Sequence, residues 1–290
     1  MAEITAQMVK ELREMTGAGM MECKKALTEA EGEIDKAIDV LRTRGLAAAA
    51  KKAGRATNEG LVVALVSEDG QSAALAEVNC ETDFVSRNDV FAGYAAKVAQ
   101  AVLNAAPADL DALKDVAVDG TSIGDMIVEA IHTIGENIQV SRFVRREAKD
   151  GAISSYIHGG GRLGVLVLFK LGQAATAAHA DFKTLAKDVA MQVAASNPGA
   201  VSRESFTPEL LEHEMAIYKA QAAESGKPEA IQQKMAEGRL EKFFRENALL
   251  EQAFVKDPDQ SVRDVIAGVG KQIGDRIEVV GFERYELGQG

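Results

Sequence analysis

Part of the sequence occurs twice, and this internal repeat constrains the fold more than any other feature. Residues 134–147 read IGENIQVSRFVRRE and residues 273–286 read IGDRIEVVGFERYE, so that Ile, Gly, Ile, Val, Phe, Arg and Glu recur at matching positions. A hairpin pattern and a helix pattern precede each copy in the same order, which is typical of a duplicated unit. The repeat therefore predicts a duplicated α+β core with antiparallel sheets. Chance similarity between two amphipathic strands is the alternative.

Each half of the predicted core begins with a β-hairpin. Residues 61–80 form apolar runs around a Ser-Glu-Asp-Gly turn, and residues 154–171 do so around a glycine-rich turn. The hairpins begin 91 residues apart, at Gly60 and Gly151, whereas the repeated segments lie 139 residues apart. The difference of 48 residues is the size of an insertion in the second half. Helices are predicted between the strands over residues 88–104, 123–134 and 182–195.

The inserted segment has the pattern of two antiparallel helices. Pro208 fits the first turn of a helix, where its missing N–H has no intrahelical partner in any case. The apolar residues that follow recur at spacings of four, three and four: Leu211, Met215, Tyr218 and Ala222. A Ser-Gly-Lys-Pro turn at 225–228 leads into a second helical segment over 229–248. This pattern predicts an antiparallel coiled-coil hairpin, inserted at about residues 200–248, that protrudes from the core.

The first 45 residues predict a bundle of three short helices. Apolar residues recur at helical spacing in the first helix, a second helix begins at Met20, and a third runs from Ile34 to a predicted end near Gly45. A connecting helix over 47–52 follows and ends at Gly54. We therefore expect domains at residues 1–55 for the bundle and connecting helix, 56–149 for the first half of the core, and 150–290 for the second half with its insertion.

Charge and composition exclude several classes of function. The chain has 33 Lys and Arg against 44 Asp and Glu, a net charge of −11, whereas a general nucleic-acid binder needs a basic face to displace counterions. Two cysteines and four histidines offer little material for a disulfide framework or a metal centre. We expect no metal and no cofactor. With no apolar run that could span a bilayer and no signal-peptide pattern, we also expect a cytoplasmic protein without membrane or direct nucleic-acid contact.

Two short motifs suggest enzymes, and their context disagrees with both. GTSIG at 120–124 matches the G-x-S-x-G motif of serine hydrolases, but the HGGG segment at 158–161 follows it, whereas an oxyanion-hole motif precedes the nucleophile. Ser122 also stands where a helix cap is expected. The GGGRLG segment at 159–164 matches a dinucleotide-binding pattern but precedes a predicted strand instead of a helix. We expect no catalytic residue, with a serine hydrolase built on Ser122 as the alternative.

Other segments suggest contact with a protein partner. Asp83 and Phe84 stand together in the NCETDFV segment after a predicted strand, either as core packing beside a solvated acid or as a rigid apolar wedge with an anion beside it. Met20 and Met21 open the second helix and suit either a core or an adaptable contact surface. His158 lies in the glycine-rich turn, where we expect it to be exposed.

Three segments resemble the bacterial elongation factor Ts family: MVKELREMTGAGMMECKKAL at the start, VNCETDFVSRN in the middle and MAEGRLEKF in the second inserted helix. Matching segments run in order to GFERYELGQG at the end, so the resemblance covers essentially the whole chain. It implies a translation elongation factor that is a guanine-nucleotide exchange factor without covalent chemistry. Such a factor binds elongation factor Tu in its GDP-bound form, expels the nucleotide and leaves when GTP binds. The resemblance further implies a three-helix domain of the ubiquitin-associated (UBA) type, a two-part core and a protruding coiled coil.

The resemblance also assigns residues to the partner interface: Thr82, Asp83, Phe84, Val85, Met20, Met21, Ile134 and His158. Asp83 and Phe84 would intrude near the partner's magnesium site, with Phe84 between two of its helices. Met20 and Met21 would pack on a helix of its nucleotide domain, Ile134 would add an apolar contact, and His158 would help to move its phosphate-binding loop. A binding or chaperone-like module that holds the partner without exchange is the alternative.

Overall fold

The computed structural model describes residues 4–16 and 18–289, which form an α+β fold. Three helices come first: α1 (Ala6–Thr16), α2 (Met20–Glu29) and α3 (Ile34–Lys52). Their apolar faces meet in a small core in which Leu12, Cys23 and Leu27 are fully buried. The helical spacing of apolar residues in the sequence thus corresponds to the buried face of each helix.

The first half of the core is a three-stranded antiparallel sheet covered by helices. Its elements in order are β1 (Glu59–Val66), β2 (Ser72–Cys80), α4 (Asp83–Ser86), α5 (Asp89–Ala105), α6 (Leu110–Asp115), β3 (Ala117–Val118), β4 (Thr121–Ser122), α7 (Ile123–Ile134) and β5 (Gln139–Glu147). The order of strands in the sheet is β1-β2-β5, and β3 and β4 form a small separate hairpin. Helices α5 and α7 bury their apolar faces, including Phe91 and Ile123, in the same cluster as Ala76 and Val78 of β2.

The second half repeats this arrangement. Its elements are β6 (Gly151–His158), β7 (Leu163–Leu171), α8 (Ala180–Ser196), α9 (Pro208–Ala223), α10 (Glu229–Asn247), β8 (Ala253–Phe254), β9 (Asp257–Ser261), α11 (Val262–Ile273) and β10 (Ile277–Glu286). The sheet order is β10-β7-β6, so that in each sheet the third strand pairs with the second strand of the hairpin. The prediction of an α+β fold with antiparallel sheets is confirmed.

The two halves also agree in their irregularities. Helices α7 and α11 each have 12 residues and each end at a glycine in the left-handed region, Gly135 with φ 90° and Gly274 with φ 79°. Each third strand contains a bulge, and the residue without a pairing partner is Ser141 in β5 and Val280 in β10. These glycines and these bulge residues stand at the same spacing as the repeat in the sequence.

A shared apolar cluster joins the two sheets. Val62 of β1, Leu75 of β2 and Leu166 of β7 are fully buried in it. Gly164 lies at the same junction, because a Cβ atom there would come within 2.5 Å of Val62 Cγ1. The two halves of the core therefore form one packed structure.

The inserted helices α9 and α10 leave the core and return to it at one place. Ala200 and Ala248 form an isolated β-bridge, and the amide of Leu249 donates to the carbonyl of Ala200 at 2.9 Å. Aromatic side chains pack together at the base of the helix pair: Phe206, Phe243 and Phe244. Arg203 donates to the carboxylate of Glu251 at 2.6 Å and fixes this base to the core. The domain boundaries expected from the sequence remain a prediction.

The predicted end of the third helix near Gly45 is wrong. Helix α3 is continuous over 19 residues and includes the segment expected to form a separate connecting helix. A Cβ atom at Gly45 would lie 3.2 Å from Cγ1 of Val128, a residue of α7. Gly45 therefore permits the close approach of two helices, and tertiary packing outweighs its low helix propensity.

Candidate functional site

Phe84 projects from a single helical turn between β2 and α5. Its side chain is 84% exposed, more than any other large apolar side chain in the described part of the chain. Asp83 precedes it in α4, and its carboxylate accepts a hydrogen bond from Arg87 at 2.9 Å. This exposure excludes the alternative in which Phe84 belongs to the core.

Thr82 and Val85 hold the turn from either side of Phe84. Thr82 is the N-cap of α4, and its hydroxyl oxygen accepts a hydrogen bond from the amide of Val85 at 3.4 Å. Val85 is half-buried and packs against the core of the first half. Because consecutive side chains on a helix point in different directions, anchoring Val85 inward leaves Phe84 facing outward.

A second loop, which follows α7, is bonded to the turn through the carboxylate of Glu136. One oxygen of this carboxylate accepts hydrogen bonds from the amides of Glu81 and Thr82, both at 3.0 Å. The other oxygen accepts from the hydroxyl of Thr82 at 2.6 Å. In the opposite direction, the amide of Asn137 donates to the carboxylate of Glu81 at 2.6 Å. We call these four hydrogen bonds the Glu136 network.

Glu81, Glu136 and Asn137 were not predicted from the sequence. Glu81 and Glu136 are acidic residues of a kind common on protein surfaces. The residues next to them in the sequence do not show that they form hydrogen bonds with residues 54 to 56 positions away. One signal was present. Glu136 falls within the internal repeat, directly after Gly135, and aligns with another acidic residue, Asp275.

Ile134 lies beside the Glu136 network. It is the last residue of α7, it is half-buried, and it packs against the same apolar cluster as Val85. The predicted contact residues Ile134 and Phe84 are distant in the sequence, but each lies beside a loop of the Glu136 network, whose hydrogen bonds join the two segments.

His158 lies on the second half of the core. It is the last residue of β6, it pairs with Leu163 across the turn, and it is exposed as expected. Its Nδ1 atom is 3.1 Å from the hydroxyl oxygen of Tyr156. The turn itself rests on the first half, because the amide of Val62 donates to the carbonyl of Gly161 at 2.7 Å. Three consecutive glycines in this turn have φ of 60°, 66° and 95°, which other residues rarely adopt.

Met20 and Met21 both face away from the protein. They are the first two residues of α2 and are 62% and 66% exposed, so neither fills the core of the bundle. They lie on the bundle, whereas Phe84 and Ile134 lie on the first half of the core and His158 on the second. The eight residues assigned to the partner interface are thus distributed over three parts of the structure.

Ser122 is not positioned as a nucleophile. Its hydroxyl caps α7, accepting from the amide of Asp125 at 3.1 Å and donating to the carboxylate of Asp125 at 2.9 Å. His132 lies ten residues further along the same helix, a distance of about 15 Å at the usual helical rise. The turn at 159–161 joins two antiparallel strands, unlike the loop that forms an oxyanion hole in hydrolases. The hydrogen bonds of Ser122 and the hairpin at 159–161 therefore do not support the hydrolase alternative.

Residues 4–16 and 18–289 contain no group of three or more His, Cys, Asp and Glu side chains arranged to hold a metal ion. Cys23 and Cys80 are buried free thiols. Burial and the nearby carboxylate of Glu136 raise the pKa of Cys80 to about 12, which keeps this thiol protonated and unreactive. In the same part of the chain, no helix is both long enough and apolar enough to cross a membrane.

The chain is similar to known proteins over almost its full length. The family model described as Elongation factor TS matches residues 81–289, a segment that contains Phe84 and the Glu136 network. The chain is 47% identical over 289 residues to elongation factor Ts of Desulfovibrio desulfuricans, which covers 99% of both proteins. It is 49% identical over 287 residues to that of Nitratidesulfovibrio vulgaris, covering 99% of this chain and 96% of the relative. It is 48% identical over 291 residues to that of Symbiobacterium thermophilum, covering 100% and 94%. The chain therefore belongs to the elongation factor Ts family of translation elongation factors.

Proposed function

We propose that the protein is a guanine-nucleotide exchange factor that binds elongation factor Tu and promotes the release of GDP. The observation that carries this proposal is Phe84, a large apolar side chain that is 84% exposed on a turn held by hydrogen bonds. Exposing a large aromatic ring to water is unfavourable, and rings of this kind are the usual anchors of protein interfaces. The family relationship supports elongation factor Tu as the partner.

Asp83 and Phe84 are the proposed wedge. Phe84 enters between two helices of elongation factor Tu, and Asp83 brings a negative charge near the magnesium ion. Displacing the groups that order the ion removes the cation that neutralises the diphosphate, so the affinity for GDP falls. Exchange of this kind makes and breaks no covalent bond, and a catalytic group is not needed.

The wedge can act because it is held before binding. Thr82 caps the turn, Val85 packs into the core, and Glu136 joins the turn to the end of α7. An element that is already ordered loses little conformational entropy when it enters a partner, so more of the contact energy remains to oppose nucleotide binding. By linkage, a factor that weakens GDP binding is itself bound less tightly when nucleotide is present, and binding of GTP releases it.

The remaining assigned residues contact other parts of the partner. We assign Met20 and Met21, exposed on the bundle, to a helix of the nucleotide domain, and Ile134 to an apolar contact beside the wedge. His158 is assigned to the displacement of the phosphate-binding loop. In this proposal the three-helix bundle is a UBA-like docking domain, α9 and α10 form a coiled-coil arm, and the complex forms in the cytoplasm without nucleic acid.

The test is release of a fluorescent GDP analogue from elongation factor Tu at substoichiometric factor. Wild-type protein is expected to accelerate release, and the double variant Asp83→Ala, Phe84→Ala to reduce the acceleration by at least about tenfold, or about 1.4 kcal/mol of barrier. Val280→Ala is the control, because Val280 is 53% exposed on β10 and outside the proposed interface.

Release at the spontaneous rate with micromolar wild-type protein would contradict the proposal. Acceleration that the double variant retains would contradict the role of the wedge. A complex that forms without any effect on release would instead identify a binding module.

A further inference from the structure

Glu136 is the residue on which the geometry of the wedge depends. It is separated from Phe84 in sequence and does not need to touch a partner, yet three of its hydrogen bonds end on the two residues that lead into α4. Its carboxylate accepts hydrogen bonds from the backbone amides of Glu81 and Thr82, which take part in no strand or helix hydrogen bond. Removing it would leave those part-buried donors without their partner and free the start of the turn.

Helix α4 cannot hold this geometry alone. It contains four residues, and an isolated helix of that length is unstable because nucleation fixes several residues for very few hydrogen bonds. Phe84, being largely exposed, contributes little packing that would fix its own position. The orientation of the ring therefore depends on the contacts of its neighbours, and the shortest hydrogen bond that Thr82 makes is to Glu136, at 2.6 Å.

The second half of the core contains the equivalent network without a wedge. Asp275 aligns with Glu136 and follows Gly274 at the end of α11. Its carboxylate accepts from the amide of Gln173 at 3.1 Å and from the hydroxyl of Thr176 at 2.5 Å, and these bonds lower the pKa of Asp275. The turn that it holds, Ala174–Ala178, presents only small side chains.

The comparison of the two halves separates two roles. A carboxylate after the helix C-terminus stabilises the neighbouring loop in both halves, so this much is a property of the duplicated fold. Only in the first half does that loop carry a large exposed side chain. Loss of the carboxylate should therefore affect stability in both halves and exchange in only one.

We propose that Glu136 is a positioning residue for nucleotide exchange, which acts through Thr82 to hold Phe84 in the orientation that enters the partner. This inference rests on the proposed exchange function and deepens it. It predicts that Glu136 affects the maximal rate of GDP release more than the concentration of factor at which half that rate is reached, because the bundle and His158 still bind the partner.

The experiment compares Glu136→Ala, Glu136→Gln and Asp275→Ala in GDP release from elongation factor Tu, with the melting temperature of each variant. Glu136→Ala is expected to lower kcat between about 10-fold and 100-fold, as small misplacements of reacting groups do, and to change KM less than about 3-fold. Glu136→Gln is expected to restore most of kcat, since its amide oxygen accepts from the two backbone amides and its NH2 group donates to the hydroxyl of Thr82. Asp275→Ala should lower the melting temperature without lowering kcat.

Two further variants keep the outcome decisive. Glu136→Ala in the Phe84→Ala background should have no additional effect on kcat, because there is no ring left to position. If Glu136→Ala does not fold, Thr82→Val removes the 2.6 Å hydrogen bond at nearly constant shape and should lower kcat in its place.

Wild-type kcat in Glu136→Ala, or in Thr82→Val where that variant replaces it, would overturn the positioning role, and so would an equal loss in Asp275→Ala. These results leave the proposed function intact if the double variant Asp83→Ala, Phe84→Ala still reduces the acceleration by at least about tenfold. If wild-type protein itself does not accelerate release, the proposed function fails first, and the two failures are thereby distinguished.

Discussion

The guanidinium carbon of Arg142 lies 4.2 Å from the centre of the Tyr285 ring, and this contact joins the third strands of the two sheets. Arg142 also donates to the carbonyl of Glu286 at 2.8 Å and through Nε to the carboxylate of Glu77 at 2.8 Å. Glu77 is only 3% exposed, and its other oxygen accepts from the amide of Gly288 at 3.1 Å. A part-buried ion pair on the buried carboxylate of Glu77 thus fixes residues 286–288 to the first half of the core.

Arg142→Ala should destabilise the protein strongly. The variant leaves the carboxylate of Glu77 buried without its cation, which typically costs about 3–5 kcal/mol. Arg146→Ala is the matched control, because Arg146 also joins β5 to β10, through Glu283 at 2.6 Å, but at a more exposed position. Its loss should cost less than about 1 kcal/mol. The free energy of unfolding in urea measures both, and equal losses would show that the burial of Glu77 is not what matters.

Gly164→Ala should disturb the junction between the sheets. The added methyl group would meet Val62 Cγ1 at 2.5 Å and Leu75 Cδ1 at 2.9 Å, and overpacking of this kind costs about 1–3 kcal/mol. Gly93 lies within α5 on its exposed face, and a glycine-to-alanine replacement there leaves no atom within 4 Å of the new methyl group. Gly93→Ala should therefore stabilise the protein by about 0.5–1 kcal/mol. Thermal unfolding of the two variants is expected to shift in opposite directions, and a shared direction would contradict this reasoning.

Cys80 should make the protein less stable at alkaline pH. Its pKa is raised to about 12 in the folded protein, above the value of about 8.5 for an unfolded chain. The thiol ionises at lower pH in the unfolded chain than in the folded protein. The stability that this difference contributes is therefore fully present below the unfolded-chain pKa and is lost as the pH rises towards the folded-state pKa. Between pH 9 and 11, wild type should therefore lose up to about 1.4 kcal/mol per pH unit relative to Cys80→Ala. Urea unfolding of both proteins at pH 7 and pH 10.5 tests this, and a difference independent of pH would refute it.

Excision of the helix pair should leave a folded core. Its two ends meet at the bridge between Ala200 and Ala248, so a linker of two or three glycines can replace residues 202–247. Loss of the Arg203–Glu251 pair at the base should lower the melting temperature by on the order of 5 °C. The shortened protein should keep a cooperative thermal transition and slow amide exchange in β7. A non-cooperative transition would show instead that α9 and α10 are needed for the core to fold.

Local signals predicted much of the fold because they act over a few residues. The predicted helix over 123–134 has the observed bounds of α7, since Ser122 caps its start and Gly135 ends it in the left-handed region. The hairpins were predicted from their turns and apolar runs. The error at Gly45 arose because the glycine serves a contact with Val128, which no local pattern reveals.

The candidate site was less predictable from the sequence for the same reason. Burial can be predicted for helices and strands from the periodic spacing of apolar residues, but a single aromatic residue in a loop has no such spacing. The sequence therefore did not show whether Phe84 is buried in the core or exposed at the surface. Glu136 and Glu77 act through hydrogen bonds to residues distant in the chain, and such pairs depend on how the elements pack. The resemblance to a family supplied the candidate residues, and the structure adds the neighbours that hold them.

Helix α3 has a further consequence for how the protein meets a partner. Its 19 residues span about 28 Å, and it is fastened along α7 by Arg42 to Asp125 at 2.7 Å and by Lys52 to the carbonyl of Ile131 at 3.1 Å. Met20 and Met21 are therefore carried on a stiff spacer and not on a flexible tether. When two contact residues are held a fixed distance apart, binding of one raises the effective concentration of the other only if the two binding sites on the partner are separated by the same distance. In the proposed complex, α3 thus holds Met20 and Met21 at a fixed distance from the wedge. Both contacts form at once only on a partner whose two binding surfaces have the same separation.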